Sequence, residues 1–341
     1  MIAERSAAVP DATGAVRSPN ERAEALVRAA LAAAHDESAS AVERADMLME
    51  LAMGLQLRPR AAEDLIAATQ LYDTALALCP TDDRLRRARI TARKGTALQA
   101  IPEPGTASVE HAREAYEEAI PILAELGGPE ELAEAEMNLG LALQHLAGLG
   151  RARMTDAIAA YQRALRTFDR QRFPVEFAIL QNNLATAFLA IPFTDERSRM
   201  REALAVQAFE EGLRAVNVID HPTEYAMLQN NLGNALQHAS SSHVIANHLR
   251  AIEAYDEALR VRARDTAPVE YANTIANKAS CLSSLPDDPE RPESGNPRNL
   301  ATARAYYEEA RDLFARHGEP EKARIVTEAA VALARESAPE R

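Results

Sequence analysis

A chain of 341 residues that is 47% hydrophobic but only 4% aromatic, with no tryptophan, has the small and aliphatic side chains that close helix–helix contacts and few of those that fill a β-sandwich. Its formal net charge of −13 disfavours attraction to nucleic acid or to an anionic membrane surface. The two cysteines, Cys79 and Cys281, belong to no ligand-spaced motif and read as reduced structural thiols, so no metal and no other cofactor is implied.

The N-terminal stretch MIAERSAAVPDATGAVRSPN has neither the apolar core of a signal peptide nor a run long enough to cross a bilayer. It predicts a disordered tail over 1–19 and a cytoplasmic protein. PNERAEALVRAALAAAHDE then predicts an opening helix over 20–36. From 42 to 317 the chain repeats itself. Six segments share an alanine, an aromatic four residues later and a small residue three beyond that: Ala68/Tyr72/Ala75, Ala112/Tyr116/Ala119, Ala157/Tyr161/Ala164, Ala205/Phe209/Gly212, Ala251/Tyr255/Ala258 and Ala303/Tyr307/Ala310. Spacings of four and three put the three side chains on one helical stripe, where the small residues let another backbone approach around the ring.

Each such helix follows another with its own alignment: LMELAMGLQL, ITARKGTALQ, EMNLGLALQH, QNNLATAFLA, QNNLGNALQH and IANKASCLSS. Gly95, Gly140, Ala185, Gly233 and Ala279 take the same small-residue position in these strings. Every unit is therefore a helix pair. Prolines in ELGGPEE, QRFPVEF, IDHPTEY, DTAPVEY and RHGEPEK open the next helix, where a missing N–H costs nothing. PEKARIVTEAAVALARES predicts a capping helix over 318–337, as the ends of a stacked array require. Because no pair can bury its apolar stripe alone, the expected fold is all-α, a continuous right-handed α-solenoid of antiparallel helix pairs without a domain break.

Leucine and glycine in the first helix, then alanine, aromatic and alanine in the second, resemble the tetratricopeptide repeat, from about residue 42 to residue 335. The QNNLGNAL string and the spacing of 44 to 52 residues between the aromatics, Tyr72, Tyr116, Tyr161, Phe209, Tyr255 and Tyr307, are most similar to long bacterial repeats often attached to caspase-like peptidase domains and to the kinesin light chain. Two features depart from the family: Gln229 stands where it has tryptophan, and the extra length falls inside the pairs, as in IPFTDERSRMRE and LPDDPERPESGNPRN.

The resemblance implies a concave surface lined by the first helices, with their positions two, five, six, nine, twelve and thirteen facing a groove. Position six is Arg93, Asn138, Asn183, Asn231 and Asn277 in the second to sixth pairs. Position five supplies Asn182 and Asn230, position nine Asn234, and position thirteen His145 and His238, with Gln237 completing the set. An amide offers a donor and an acceptor, so a row of them can pair with the backbone of an extended peptide whatever its side chains. The competing role, strongest at position six, is bonding across to the adjacent helix to hold the repeats in register.

RLRRARITARK sets Arg86, Arg89 and Arg93 on one helical face. Left free, these arginines favour an acidic or carboxylate-bearing partner segment; paired with Asp46 and Glu50 of the neighbouring helix, they are structural. His238, His243 and His248 are spaced unlike any metal-ligand pattern. No phosphate-binding loop or nucleophile elbow is present, so no enzyme is expected. The expected function is a non-catalytic protein–protein interaction scaffold that holds a partner's peptide segment, with assembly or maturation of a multi-subunit enzyme, for instance a metalloenzyme, as one task. The alternative is a regulator that responds to a peptide or ligand. A homodimer is left open.

Overall fold

The structure, a computed structural model, describes residues 19–34, 38–103, 105–191, 196–240 and 243–336. All but the last residue of the expected N-terminal tail lies outside them, as does the end of the opening helix. The described residues form fourteen α-helices and one short 3₁₀ turn, Pro292–Ser294, and no strand. An opening helix, α1 (Pro19–Ala34), precedes six pairs: α2 (Ala41–Leu57) with α3 (Ala62–Leu78), α4 (Arg84–Ala100) with α5 (Ala107–Leu126), α6 (Pro129–Gly148) with α7 (Met154–Ala164), α8 (Pro174–Ala190) with α9 (Glu196–Leu213), α10 (Pro222–Gln237) with α11 (Val244–Leu259), and α12 (Pro268–Ser283) with α13 (Pro297–Arg316). Helix α14 (Pro320–Glu336) follows.

Local chemistry starts these helices where they start. Pro129, Pro174, Pro222 and Pro268 occupy the first turns of α6, α8, α10 and α12, and α2 opens on a capping box in which Ser40 and Glu43 satisfy each other's backbone N–H groups. The most extensive packing in the molecule lies within the pairs. There the aromatic of the second helix is sealed: Tyr72, Tyr116, Tyr161 and Tyr255 are fully buried and Phe209 is almost so.

The small residues of the first helices exist for these rings. A Cβ on Gly95 would stand 3.0 Å from the Tyr116 ring and one on Gly233 only 2.6 Å from the Tyr255 ring, and Gly140 meets Tyr161 in the same way. The ring lies directly against the neighbouring backbone and removes that glycine from water. Each hydroxyl then finds a glutamine near the end of the facing helix: Tyr72 donates to Gln56 at 2.9 Å, Tyr116 reaches Gln99 at 3.2 Å, Tyr161 donates to Gln144 at 2.7 Å and Tyr255 to Gln237 at 2.9 Å. A buried tyrosine needs such a partner, and the recurrent glutamine supplies it.

The pairs gather into two compact units that divide at Phe168 and Asp169, between the third pair and the fourth. Inside each unit the second helix of one pair packs on the first helix of the next, as α3 on α4, α5 on α6, α9 on α10 and α11 on α12. First helices also touch their neighbours directly, α2 with α4 and α4 with α6 in one unit, α8 with α10 and α10 with α12 in the other. No comparable contact joins successive second helices among the described residues. The first helices are therefore the closer-spaced, inner face of each unit.

The terminal helices are held differently. Helix α1 lies chiefly on α3, where Arg22 neutralises Asp64, a carboxylate whose side chain is 1% exposed. Helix α14 packs on α13 like any first helix, but it offers no seat for a successor. Where the other proline-led first helices bury Ala133, Ala178, Ala226 and Ala272, it exposes Arg324, bonded to both Glu321 and Glu328. Where they present Gly140, Ala185, Gly233 and Ala279 to a ring, it has Val331. Helix α14 thus departs from the other first helices at those two positions.

Two expectations follow from the ring seats. Gly140→Val should lower stability by about 1–3 kcal/mol, since the added carbons have no room against Tyr161, whereas Gly54→Ala, with nothing near its Cβ, should raise it by about 0.5–1 kcal/mol. Thermal unfolding followed by circular dichroism compares the two. Burial pushes the Tyr72 phenol up to about 12 and raises Tyr116, Tyr161 and Tyr255 further. These rings hold their protons more tightly when folded, so their contribution is complete below the unfolded value near 10 and is lost as pH rises through the folded values. Urea unfolding between pH 9 and 12 should show that loss, and Tyr161→Phe should make it shallower.

Candidate functional site

On the inner face of the unit that begins at Asp169, the asparagines of α8, α10 and α12 form one hydrogen-bonded chain. Asn277 Nδ2 donates to Asn230 Oδ1 at 3.3 Å, Asn230 Nδ2 to Asn231 Oδ1 at 3.1 Å, Asn231 Nδ2 to Asn182 Oδ1 at 2.8 Å and Asn182 Nδ2 to Asn183 Oδ1 at 3.3 Å. All four bonds point the same way, so each amide uses its donor on one neighbour and its acceptor on the other. The order crosses three pairs, α12 to α10 to α8. At the far end the Nδ2 of Asn183 is buried and has no partner among the described residues.

Burial explains why the residues pair with one another. Asn182, Asn183 and Asn230 are 8%, 7% and 7% exposed, and an amide so placed costs free energy unless both of its ends are bonded. Position five was expected to face an open groove. Instead Asn182 and Asn230 lie in the contact between first helices, and the neighbouring Asn231 is the more accessible of its pair. Sequence alone did not single out two further members. Thr274 Oγ1 lies 3.2 Å from Asn230 Oδ1 and receives a hydrogen bond from Arg262 Nη1 at 2.9 Å. Arg262 stands seven residues after its pair's aromatic, where Phe168 and Val216 are buried apolar wedges in other pairs, and that change of residue type was the available signal. Burial draws the guanidinium's pKa below its ordinary value, against the opposing pull of Glu270.

In the unit that ends at Phe168, four of the five arginines of α4 are already committed. Arg84 makes a two-pronged pair with Glu125, Arg86 bonds Asp83 and Asp46, Arg87 donates to the carbonyls of Leu76 and Cys79, and Arg89 grips Glu131 at 2.7 and 3.0 Å. Arg89 keeps the Glu131 carboxyl below the usual carboxylate range. The Asp46 pairing considered for this stretch thus falls to Arg86. Arg93 is exposed and makes no hydrogen bond or ion pair among the described residues. Beside it, with Arg89, Thr96 and Tyr116, the half-buried Asn138 lines a crevice of about 40 Å³, and its amide is equally unbonded.

The remaining expected positions are scattered in role. Asn234 and Gln237 both stand at the Tyr255 hydroxyl, and Gln237 also donates to Ser280 at 2.8 Å. His145 and His238 are exposed on their separate helices. His248 is buried against the Gln237 carbonyl while His238 and His243 are exposed, so the three do not converge, and no group of three metal-binding side chains occurs among the described residues. Cys79 and Cys281 are free and buried, and burial pushes the Cys281 thiol up to about 12.

Fold and site together define a helical-repeat protein of stacked antiparallel pairs with an amide-rich inner face. No protein-family model matches the sequence, and no curated protein matches it at a significant level. Among solved structures, BtubC (BKLC) from P. vanneervenii is 21% identical with a TM-score of 0.48, over 72% of this chain and 91% of that one. A Rap protein complexed with competence and sporulation factor is 12% identical with a TM-score of 0.45, over 85% and 74% of the two chains. The apo form of RapI is 13% identical with a TM-score of 0.46, over 92% and 98%. Likeness this distant leaves function to be read from this chain's own side chains.

Asn230 and Asn138 separate a structural amide from an available one. Asn230→Ala should cost about 1–3 kcal/mol, because it strands the groups bonded to it, whereas Asn138→Ala should stay within about 0.5 kcal/mol of the parent in urea unfolding.

Proposed function

We propose that the chain is a non-catalytic interaction scaffold that holds an extended peptide segment of a partner protein on the inner, first-helix face. The observation that carries this is Arg93 of α4 beside Asn138 of α6, a guanidinium and an amide with no hydrogen bond or ion pair among the described residues, in a crevice that Glu131 and Glu134 also line. A guanidinium takes a carboxylate through paired N–H donors, and the amide beside it takes a peptide N–H or C=O. In a chain of net charge −13, such a free cation selects an acidic side chain or a C-terminal carboxylate.

We assign the repeats to the long-period type that the QNNLGNAL string resembles, and the cellular task to assembly or maturation of a multi-subunit enzyme, a metalloenzyme among them. None of the described helices is long and apolar enough to cross a membrane, and a cytoplasmic location is part of the same proposal. A second reading, a regulator that answers a peptide or ligand, is favoured by the amide chain. Its four bonds run through α8, α10 and α12, so a ligand that takes one member disturbs three pairs at once.

Affinity capture from the native cell compares the parent with an Arg93→Ala, Asn138→Ala double variant of equal helicity. Recovery of the parent's partner should fall at least about tenfold, as loss of a charge-assisted hydrogen bond implies. Undiminished recovery would refute the site.

A further inference from the structure

We infer that the fourth helix pair carries an anchor pocket for one apolar side chain of a peptide, with the amide of Asn234 holding the peptide unit next to it. A cavity of about 340 Å³ opens between the end of α8, the start of α9 and the end of α10. Its apolar lining is Phe188, Leu189, Ile191 and Ala235, and Asn234 and His238 stand on its polar side.

This pocket sits where the repeat breaks its own rule. In four pairs a tyrosine hydroxyl meets a glutamine at the end of the first helix, Gln56, Gln99, Gln144 or Gln237. The sixth pair keeps Tyr307 but has Ser283 at the glutamine position, and in the fourth pair both partners change together, to Phe209 and Leu189. Phe209 is buried like the other rings, so the fold keeps its packing there. Leu189, freed from any latch, is 41% exposed. Where four other pairs place a glutamine, the fourth pair presents a leucine, which supplies the cavity with an apolar wall.

Asn234 makes the occupant a peptide. The Tyr255 hydroxyl lies 2.8 Å from the Asn234 amide and 2.9 Å from that of Gln237, and Gln237 is anchored further by Ser280. One end of the Asn234 amide is thus held at the ring, while the other has no partner among the described residues and borders the cavity. The unpartnered end is the Nδ2 donor, to which a peptide supplies a carbonyl acceptor while its side chain fills the apolar space. Arg201 and Glu202, of opposite charge, flank the same cavity, so the pocket favours a neutral residue of leucine or phenylalanine size. Only the choice of a peptide as occupant rests on the scaffold reading above; Arg93 and Asn138 take no part.

The test is titration of the full chain with N-acetyl-leucine amide, N-acetyl-glycine amide and toluene, read from the side-chain amide signal of Asn234 and the methyl signals of Leu189 by NMR. The leucine compound should shift both signals saturably and the glycine compound at least about tenfold more weakly. Leu189→Gln, which installs the residue of the other pairs, and Asn234→Ala, which leaves Tyr255 its bond to Gln237, should each weaken binding about tenfold with helicity unchanged. Partner recovery in the capture experiment reads the Arg93 and Asn138 site and this titration does not, so the two readings fail separately. No saturable shift with the leucine compound overturns the pocket. Toluene binding as well as the leucine compound, or binding indifferent to Asn234→Ala, overturns peptide recognition.

Discussion

Everything in this molecule depends on a ring laid against a backbone. In each pair a buried aromatic from the second helix occupies the space that a side chain on the first helix would need, at Gly95, Gly140 and Gly233 most tightly. Close approach excludes water from both helices over several turns, and the flat ring is the shape that permits it. In four pairs the contact also fixes axial register, because the tyrosine hydroxyl at the ring's far edge must reach a glutamine one turn beyond the small residue. The pair is consequently a unit with one way to pack, and stacking such units buries the stripes that a single pair leaves open.

That constraint was legible in the sequence because it is periodic. Alanine, aromatic and small residue at fixed spacings can only mean one helical stripe, and their recurrence six times identified the pairs and their order. The roles of the asparagines were not legible, because the decisive difference lies between adjacent residues on one helix. Asn230 and Asn231 differ by about a quarter turn around the helix axis, and on a face shared between neighbouring first helices that rotation separates buried contact from accessible surface. Spacing gives the direction of a side chain from its own axis. It does not give the position of the next helix, on which burial depends. The arginines of α4 show the same limit: their common face was readable, but which carboxylate each one meets depends on how α2, α5 and α6 are placed around it.

The amide chain is a second, subsidiary register. Rings and small residues specify how the helices of one pair meet, but they say little about how one first helix slides along the next. A directed series of bonds through Asn277, Asn230, Asn231, Asn182 and Asn183 resists that sliding, since a shift of one residue would unpair several buried amides together. Ion pairs between elements act likewise at the outer seam, where Lys94 meets Asp73 and Lys278 meets Asp256 at equivalent places in different pairs. Polar groups of modest net worth thus select one arrangement among apolar packings that would otherwise be close in energy.

Because the ring seat and its latch recur so regularly, their lapses carry information. Losing a tyrosine hydroxyl and its glutamine together strands neither group, whereas the sixth pair keeps Tyr307 with Ser283 at the glutamine position and turns the hydroxyl to Ser280. The fourth pair loses both, keeps the buried ring as Phe209, and turns Leu189 toward solvent. Helix α14 shows the complementary case: it keeps the helix but has Arg324 and Val331 where the other proline-led first helices have small residues. In one place the framework releases a polar latch and gains an apolar wall; in the other it gives up the ring seat. Both changes leave the helices themselves intact, because helix propensity and the remaining packing face do not depend on the positions altered. A repeat protein can therefore vary these two positions without rebuilding its core, and they are where departures from the pattern are most informative about what each pair contributes.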